Sequence, residues 1–380
     1  MNPPLRGLTW DHPRAYLPLE TFERLSTAPA VTWDRQPLAD FEARPLETLA
    51  PDYDLLVVDH PGLGHAVATG SLLPWNVVMT AAELDAWADA SVGRTWDSYH
   101  LQGAQWALPI DAATQVSVAA ADIRISVPGT WRDVPALTSV VPTALCLGGP
   151  HALLTLLAMA ADRRPGSQCL LDPLRAEAAL DLLRRLWKRC DREVSVGDPI
   201  SVHEAISAGR VDYCPLTYGY ASYARPAPDS RPLVWADAPA FTGRHPGSVL
   251  GGTGLALSAQ RDTDLAAVRE WARTFLTADV QSGLVPDASG QPAHRAAWDS
   301  QRVDQQWGGY YSATRQSVET AWIRPRQDGW VRLQDVGSSW VREFLDGDRR
   351  ATAVAEQFNK RYAALVSEQP VSAPTTVGET

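Results

Sequence analysis

The sequence predicts an α/β protein. Short apolar runs alternate with amphipathic helical patterns along the whole chain. One run, 53–58 (YDLLVV), has the character of a strand buried on both faces of a parallel sheet. The length, 380 residues, suits two domains or one large two-lobed one.

Residues 6–10 form a first strand, closed by Asp11-His12-Pro13. Residues 17–25 put Leu17, Phe22 and Leu25 on one helical face. The strand 53–58 is closed by Asp59-His60-Pro61-Gly62. Residues 81–90 form a helix with Leu84 and Trp87 three apart, and 107–118 (ALPIDAATQVSV) a strand. A Pro-Gly turn precedes 130–134, and Gly148-Gly149-Pro150 starts an apolar helix over 151–161. Residues 174–190 carry Leu174, Ala178, Leu182, Leu183, Leu186, Trp187 and Cys190 as one stripe, opposite Arg184, Arg185 and Lys188. Residues 211–216 form a strand, and 226–239, with four prolines, a connection. Gly251-Gly252-Thr253-Gly254 leads into another strand. Next come a helix over 265–276 and three helical segments within 312–366. The polar tail, 368–380, is expected to be disordered.

Composition excludes several classes of function. With 34 Lys and Arg against 44 Asp and Glu, the chain carries a net charge of −10, which argues against nucleic acid and against anionic membrane. The longest apolar run, 152–161, is too short to span a bilayer. The amino terminus, MNPPLRGLTWDHP, shows neither a basic region with an apolar stretch nor a lipobox cysteine. The expected location is therefore the cytoplasm, or the periplasm or exterior if a signal was removed. Cys146, Cys169, Cys190 and Cys214 are isolated and read as reduced, buried thiols. Fifteen Trp against six Phe point to flat amphipathic surfaces, since indole joins a large apolar face to one N–H donor.

Two segments share a chemical pattern. Trp10-Asp11-His12-Pro13 and Val58-Asp59-His60-Pro61 each place Asp-His-Pro at the carboxyl end of an apolar strand, where open α/β sheets bind ligands. Proline fixes where the preceding histidine points, and an adjacent Asp can orient an imidazole. The same residues also serve as plain strand terminators. Asp111 is a carboxylate inside an apolar strand, which calls for a cleft or an arginine partner. Tyr218, Tyr220 and Tyr223 fit an aromatic wall or a polar strand edge. No cofactor or metal is expected. Gly62-Leu63-Gly64 is similar to a dinucleotide fingerprint, but position 67 is Val67 where the third glycine belongs. Gly251–Gly254 lacks the Lys of a phosphate loop, His203-Glu204 is no zincin motif, and there is no nucleophile elbow.

Four segments together resemble the family 1 extracellular solute-binding proteins of ABC importers, with the type 2 periplasmic-binding fold. Pro51-Asp52-Tyr53-Asp54-Leu55-Leu56, with Ala68-Thr69-Gly70-Ser71-Leu72-Leu73-Pro74, resembles the family's second strand, helix and G-x-L-x-P loop. Gln105-Trp106-Ala107-Leu108-Pro109-Ile110-Asp111 resembles its x-Y-A-L-P entry to the first crossover. Pro128-Gly129-Thr130-Trp131-Arg132-Asp133 is similar to P-x-T-W-D-E, and Gly251-Gly252-Thr253-Gly254-Leu255-Ala256-Leu257 to the return strand G-G-x-x-L-A-I. The resemblance spans residues 5–365. It implies two α/β lobes, 1–112 plus 245–300 and 113–244 plus 301–367, with crossovers near 110–118 and 236–250. A small-molecule ligand would sit between the lobes, lined by Trp10, Asp11, His12, Asp59, His60, Asp111, Trp131, Tyr218, Tyr220 and Gly252. The acidic chain suits an uncharged or cationic ligand, carbohydrate-like where indoles stack on it. An ABC permease is the implied partner if the chain is exported. The alternative is a cytoplasmic, cofactor-independent enzyme in the same cleft, with His12, His60 and Asp111 as acid–base groups for isomerase, lyase or cyclase chemistry.

Overall fold

The structure, a computed structural model, describes residues 4–123, 126–164, 167–225, 228–241, 243 and 245–368. The tail expected to be disordered lies outside these from residue 369 onward.

Ten strands form among the described residues: β1 (Leu5–Trp10), β2 (Val31–Gln36), β3 (Leu55–Val58), β4 (Leu72–Leu73), a small hairpin of β5 (His100–Leu101) and β6 (Ala104–Gln105), β7 (Ala107–Ala120), β8 (Tyr213–Tyr218), β9 (Leu233–Ala236) and β10 (Leu250–Ser258). The main sheet runs β2-β1-β3-β10-β7-β8, with β4 beside β10 and β9 beside β7. β1 is parallel to β2 and β3, while β10 is antiparallel to β3, β4 and β7.

β7 organises the molecule. All of its 14 residues are buried. Its first half, from Ala107 to Thr114, pairs with β10, and its second half, from Gln115 to Ala120, pairs with β8 and β9. One strand therefore carries three ladders, one on its first half and two on its second. Its small side chains allow cover on both faces. The register against β10 slips where Pro109 faces Gly254, so Ile110 has no partner and a bulge stands next to Asp111. Proline offers no N–H to a ladder, and a bulge re-aims the neighbouring side chain.

Helices cover the sheet. The helix His151–Ala160 is buried along its whole length and packs against Pro173–Trp187 and Trp330–Asp346, with Ala351–Ser367 outside them. Ala81–Ala90 begins with a capping box, in which Thr80 accepts the Glu83 N–H and Glu83 accepts the Thr80 N–H. Asp264 caps Leu265–Phe275, whose Trp271 and Phe275 stack at 4.8 Å and meet Phe22 edge-on.

Several expectations change. The first helix begins at Pro13 rather than 17, because His12 caps it and Pro13 takes the first helical position. β2 lacks clean alternation, and no sequence pattern marks it. β9 lies inside the proline-rich connection. The predicted stripe of Pro173–Trp187 holds at Leu182, Leu183, Leu186 and Trp187, which are buried, but at its start Leu174 is 80% exposed while Ala176, Ala179 and Leu180 are buried. The last stretch holds three helices, Arg315–Thr320, Trp330–Asp346 and Ala351–Ser367, after a short one at Tyr310–Ala313. Among the cysteines, Cys146 and Cys214 are buried, but Cys169 and Cys190 are half-buried. Among the described residues no helix is long and apolar enough to cross a membrane.

Candidate functional site

The end of β1 builds a first cluster. His12 is extended, and its Nδ1 accepts the Arg14 backbone N–H at 3.1 Å. That cap turns the imidazole back onto Trp10, with ring centres 5.1 Å apart and planes 18° from parallel. Tyr220, just beyond β8, meets Trp10 and His12 edge-on. His203, from the helix Pro199–Ser207, lies within 5.5 Å of Tyr220 and is also enclosed by Tyr223 and Trp235. Burial pulls the His203 imidazole down to about 3. Burial, then the Arg14 charge, pulls His12 down to about 4. Asp11 does not orient His12. Its side chain points to solvent, 3.6 Å from Arg35.

Arg14 extends this cluster into the core. Its Nε and Nη2 donate to the two Asp111 oxygens at 2.6 and 2.5 Å, and Nη1 donates to the Gly219 carbonyl at 3.2 Å. The guanidinium lies 4.8 Å from the Tyr220 ring centre. Burial pushes the Asp111 carboxyl up, and Arg14 pulls against that shift. The arginine partner that a buried carboxylate requires is thus found. Gly252 backs the pair. Its φ of +99° is open to glycine, and a Cβ there would overlap the Asp111 carbonyl.

A second cluster forms at the end of β3. Asp59 Oδ1 accepts the His60 N–H at 2.9 Å, capping the short turn His60–Gly62. Both Asp59 oxygens accept from Arg324 Nη2 at 2.8 Å. Burial would raise the Asp59 carboxyl, but Arg324 and His60 hold it at about 2. His60 is fully buried, with Nδ1 3.3 Å from Asp59 Oδ1, and burial followed by the Arg324 charge brings it to about 4. Tyr99 Oη donates to the carbonyls of Val58 and Gly252 at 3.2 and 3.3 Å, which ties this turn to β10. Tyr218 Oη donates to the Leu250 carbonyl, and its ring meets His151 edge-on. Burial brings His151 to about 4, and the charges of Asp198, Arg324 and Asp59 also reach it.

A groove of about 870 Å³ opens on Arg324. Gly64, Arg94, Arg163, Tyr362 and the segment Trp322–Asp328 line it. Gly64 is required there, because a Cβ would overlap the Arg326 carbonyl.

The structure therefore joins Trp10, His12, Asp111 and Tyr220 in one cluster and Asp59, His60, Tyr218 and Gly252 around another. Trp131 is buried in the apolar core that also holds Trp10, Tyr218 and Tyr220, with its backbone N–H on the Ala240 carbonyl. Sequence reasoning missed Arg14, Tyr99, His151, His203 and Arg324 as site residues. Arg14 follows Pro13 directly, and Arg324 stands in Ile323-Arg324-Pro325-Arg326, so proline marked both turns. No cluster of three or more His, Cys, Asp or Glu able to hold a metal occurs among the described residues.

No family model matches the sequence, and no curated protein does. Solved structures match over nearly the whole chain. Maltose-bound MalE3 of T. maritima is 15% identical, with a TM-score of 0.76 over 95% of this chain and 99% of that one. An ABC transporter solute-binding protein from Agrobacterium radiobacter K84, in complex with ribitol, is 18% identical, with a TM-score of 0.74 over 96% and 99%. The GacH receptor of Streptomyces glaucescens, solved unliganded and with acarbose, is 15% identical, with a TM-score of 0.76 over 96% and 99%. These likenesses establish the fold: two α/β lobes of the periplasmic-binding type.

Proposed function

We propose that this chain is a solute-binding protein that closes its two lobes around a small, hydroxyl-rich, carbohydrate-like molecule. The observation that carries the reading is the polarity of the buried seam. Trp10 Nε1, both ring nitrogens of His203, His60 Nε2 and Arg324 Nε are buried without hydrogen-bond partners among the described residues. Buried polar atoms are normally paired, and an unpaired one costs about 1–3 kcal/mol. They stand beside the flat rings of Trp10, Tyr99, Tyr218 and Tyr220. A sugar or polyol supplies hydroxyls for such atoms and apolar C–H faces for such rings. The maltose, ribitol and acarbose of the similar structures support this class.

The division into lobes 1–112 plus 245–300 and 113–244 plus 301–367 belongs to the same proposal. So does the partner: an ABC permease where the chain is exported, and none where it stays in the cytoplasm. The acid–base alternative is the weaker one. Asp111 is bound at both oxygens by Arg14, and His12 Nδ1 is committed to the helix cap.

Titration calorimetry and tryptophan fluorescence against a panel of maltose, ribitol and acarbose, widened to other sugars and polyols, test the reading. The expected result is saturable binding with a fluorescence change, weakened about three- to tenfold in Trp10→Ala by the loss of one stacking contact. A panel in which nothing binds or raises the melting temperature overturns it.

A further inference from the structure

We infer that the ligand carries an anionic group, a phosphate ester or a carboxylate, and that Arg163 and Arg326 receive it in the groove beside Arg324. The inference rests on the solute-binding reading and specifies its substrate class.

Five arginines line this groove, although the chain as a whole is acidic, with net charge −10. Three are neutralised within the protein. Arg94 meets Asp97 at 3.2 Å, Arg164 meets Asp162 at 2.5 Å, and Arg324 meets Asp59 at 2.8 Å. Two of the groove's own carboxylates are engaged in turn. Asp162 also accepts from Ser167, and Asp328 meets His65 Nδ1 at 2.9 Å. Glu368 also lines the groove.

Two guanidiniums are left. Arg326 Nη1 donates to three backbone carbonyls, of Asp97, Ser98 and His100, at 2.6, 3.1 and 2.8 Å. Those bonds fix its position but bring no opposite formal charge. Its main chain is held as well, against the close approach of Gly64. Arg163 makes no hydrogen bond or ion pair among the described residues. Each of the two also feels a like charge. Burial, and then Arg175, lowers the Arg163 guanidinium; burial, and then Arg94, lowers that of Arg326, with the Asp97 carboxylate acting the other way. Arg326, fixed by its carbonyl bonds, and Arg163, exposed and unpaired among the described residues, both stand beside other cations and can receive an oxyanion, which guanidinium matches by paired N–H donors.

The test is a matched series measured by calorimetry: glucose, glucose 6-phosphate, glucuronate and inorganic phosphate. The expected result is that at least one anionic sugar binds about tenfold or more tightly than glucose. The preference should shrink as salt is added, because screening weakens exposed charge pairs. Glucose 6-phosphate and phosphate against glucuronate separate a phosphate ester from a carboxylate. Arg163→Gln, which removes an unpaired side chain, should bring the anion-to-glucose ratio toward one. Arg326→Gln should do the same, while Arg326→Lys keeps part of the preference; thermal melts check that each variant is folded. Equal affinity for glucose and its anions overturns the inference and leaves the solute-binding reading standing. No response to any anionic probe, inorganic phosphate included, also overturns it, whatever neutral sugars do.

Discussion

The turns Asp11-His12-Pro13 and Asp59-His60-Pro61 end neighbouring strands of one sheet with the same three residues, and they are used in opposite ways. In the first, the histidine is the cap and the aspartate faces solvent beside Arg35. In the second, the aspartate is the cap and the histidine is buried. The element downstream of each proline decides between the two uses. Pro13 opens a helix of 13 residues, and His12 reaches its second N–H. Pro61 sits inside the tight turn His60–Gly62, which runs on into the short helix Leu63–Ala68; there Asp59 reaches only the adjacent N–H and also holds Arg324. A tripeptide thus fixes where a side chain starts, and the element after it fixes where the side chain goes.

The largest test of this contrast compares the two aspartates. Asp59→Ala leaves Arg324 buried without its carboxylate, so stability should fall by about 3–5 kcal/mol. Asp11→Ala removes an exposed pair and should change stability by less than about 0.5 kcal/mol. Urea unfolding of both variants measures the difference, and similar losses would break the comparison.

The two histidines should behave alike where the aspartates differ. Both are lowered to about 4 in the folded chain, mainly by burial. The unfolded chain, with ordinary imidazoles near 6.5, therefore binds more protons than the folded chain between those values. Stability falls as pH drops from about 6.5 toward about 4, by about 2 kcal/mol per histidine at pH 5. His12→Asn, which can still cap, and His60→Asn should each flatten the dependence of unfolding free energy on pH. A slope unchanged in His60→Asn alone would show that its surroundings do not hold it neutral.

The smallest effect concerns His203, on the Trp10 side only. Its imidazole is ringed by Tyr220, Tyr223 and Trp235 with neither nitrogen paired among the described residues. His203→Phe should raise stability by about 1 kcal/mol at pH 7, read from the urea midpoint. A loss of stability would show that the ring nitrogens are satisfied after all.

Much of the fold was legible because its strands are apolar and its helices are capped by short polar residues. Ala81–Ala90 and Leu265–Phe275 fall where the pattern puts them. β2, VTWDRQ, was not legible, because tertiary pairing with β1 makes it a strand while its outward residues break the alternation. The site was half legible. Strand ends located Trp10, His12, Asp59 and His60, and the cost of burial foretold a partner for Asp111. The identity of that partner was hidden, because Arg14 lies 97 positions away in sequence, just as Arg324 lies 265 positions from Asp59. Contacts of that range leave no local pattern. Trp131, a family-like position, is buried in the same apolar core as Trp10, Tyr218 and Tyr220.

The sheet order carries a consequence for how the chain is made. β10 is the last strand to emerge during synthesis, yet it lies between β3 and β7. Until it arrives, β3 and the first half of β7 each present an unpaired edge, and helices that depend on the finished sheet have only part of their surface to pack on. Late, long-range closure of this kind slows folding and exposes edges to other chains. A ribosome-released fragment ending before Leu250 would keep both edges open, so the nascent protein needs its final third before its first third can settle.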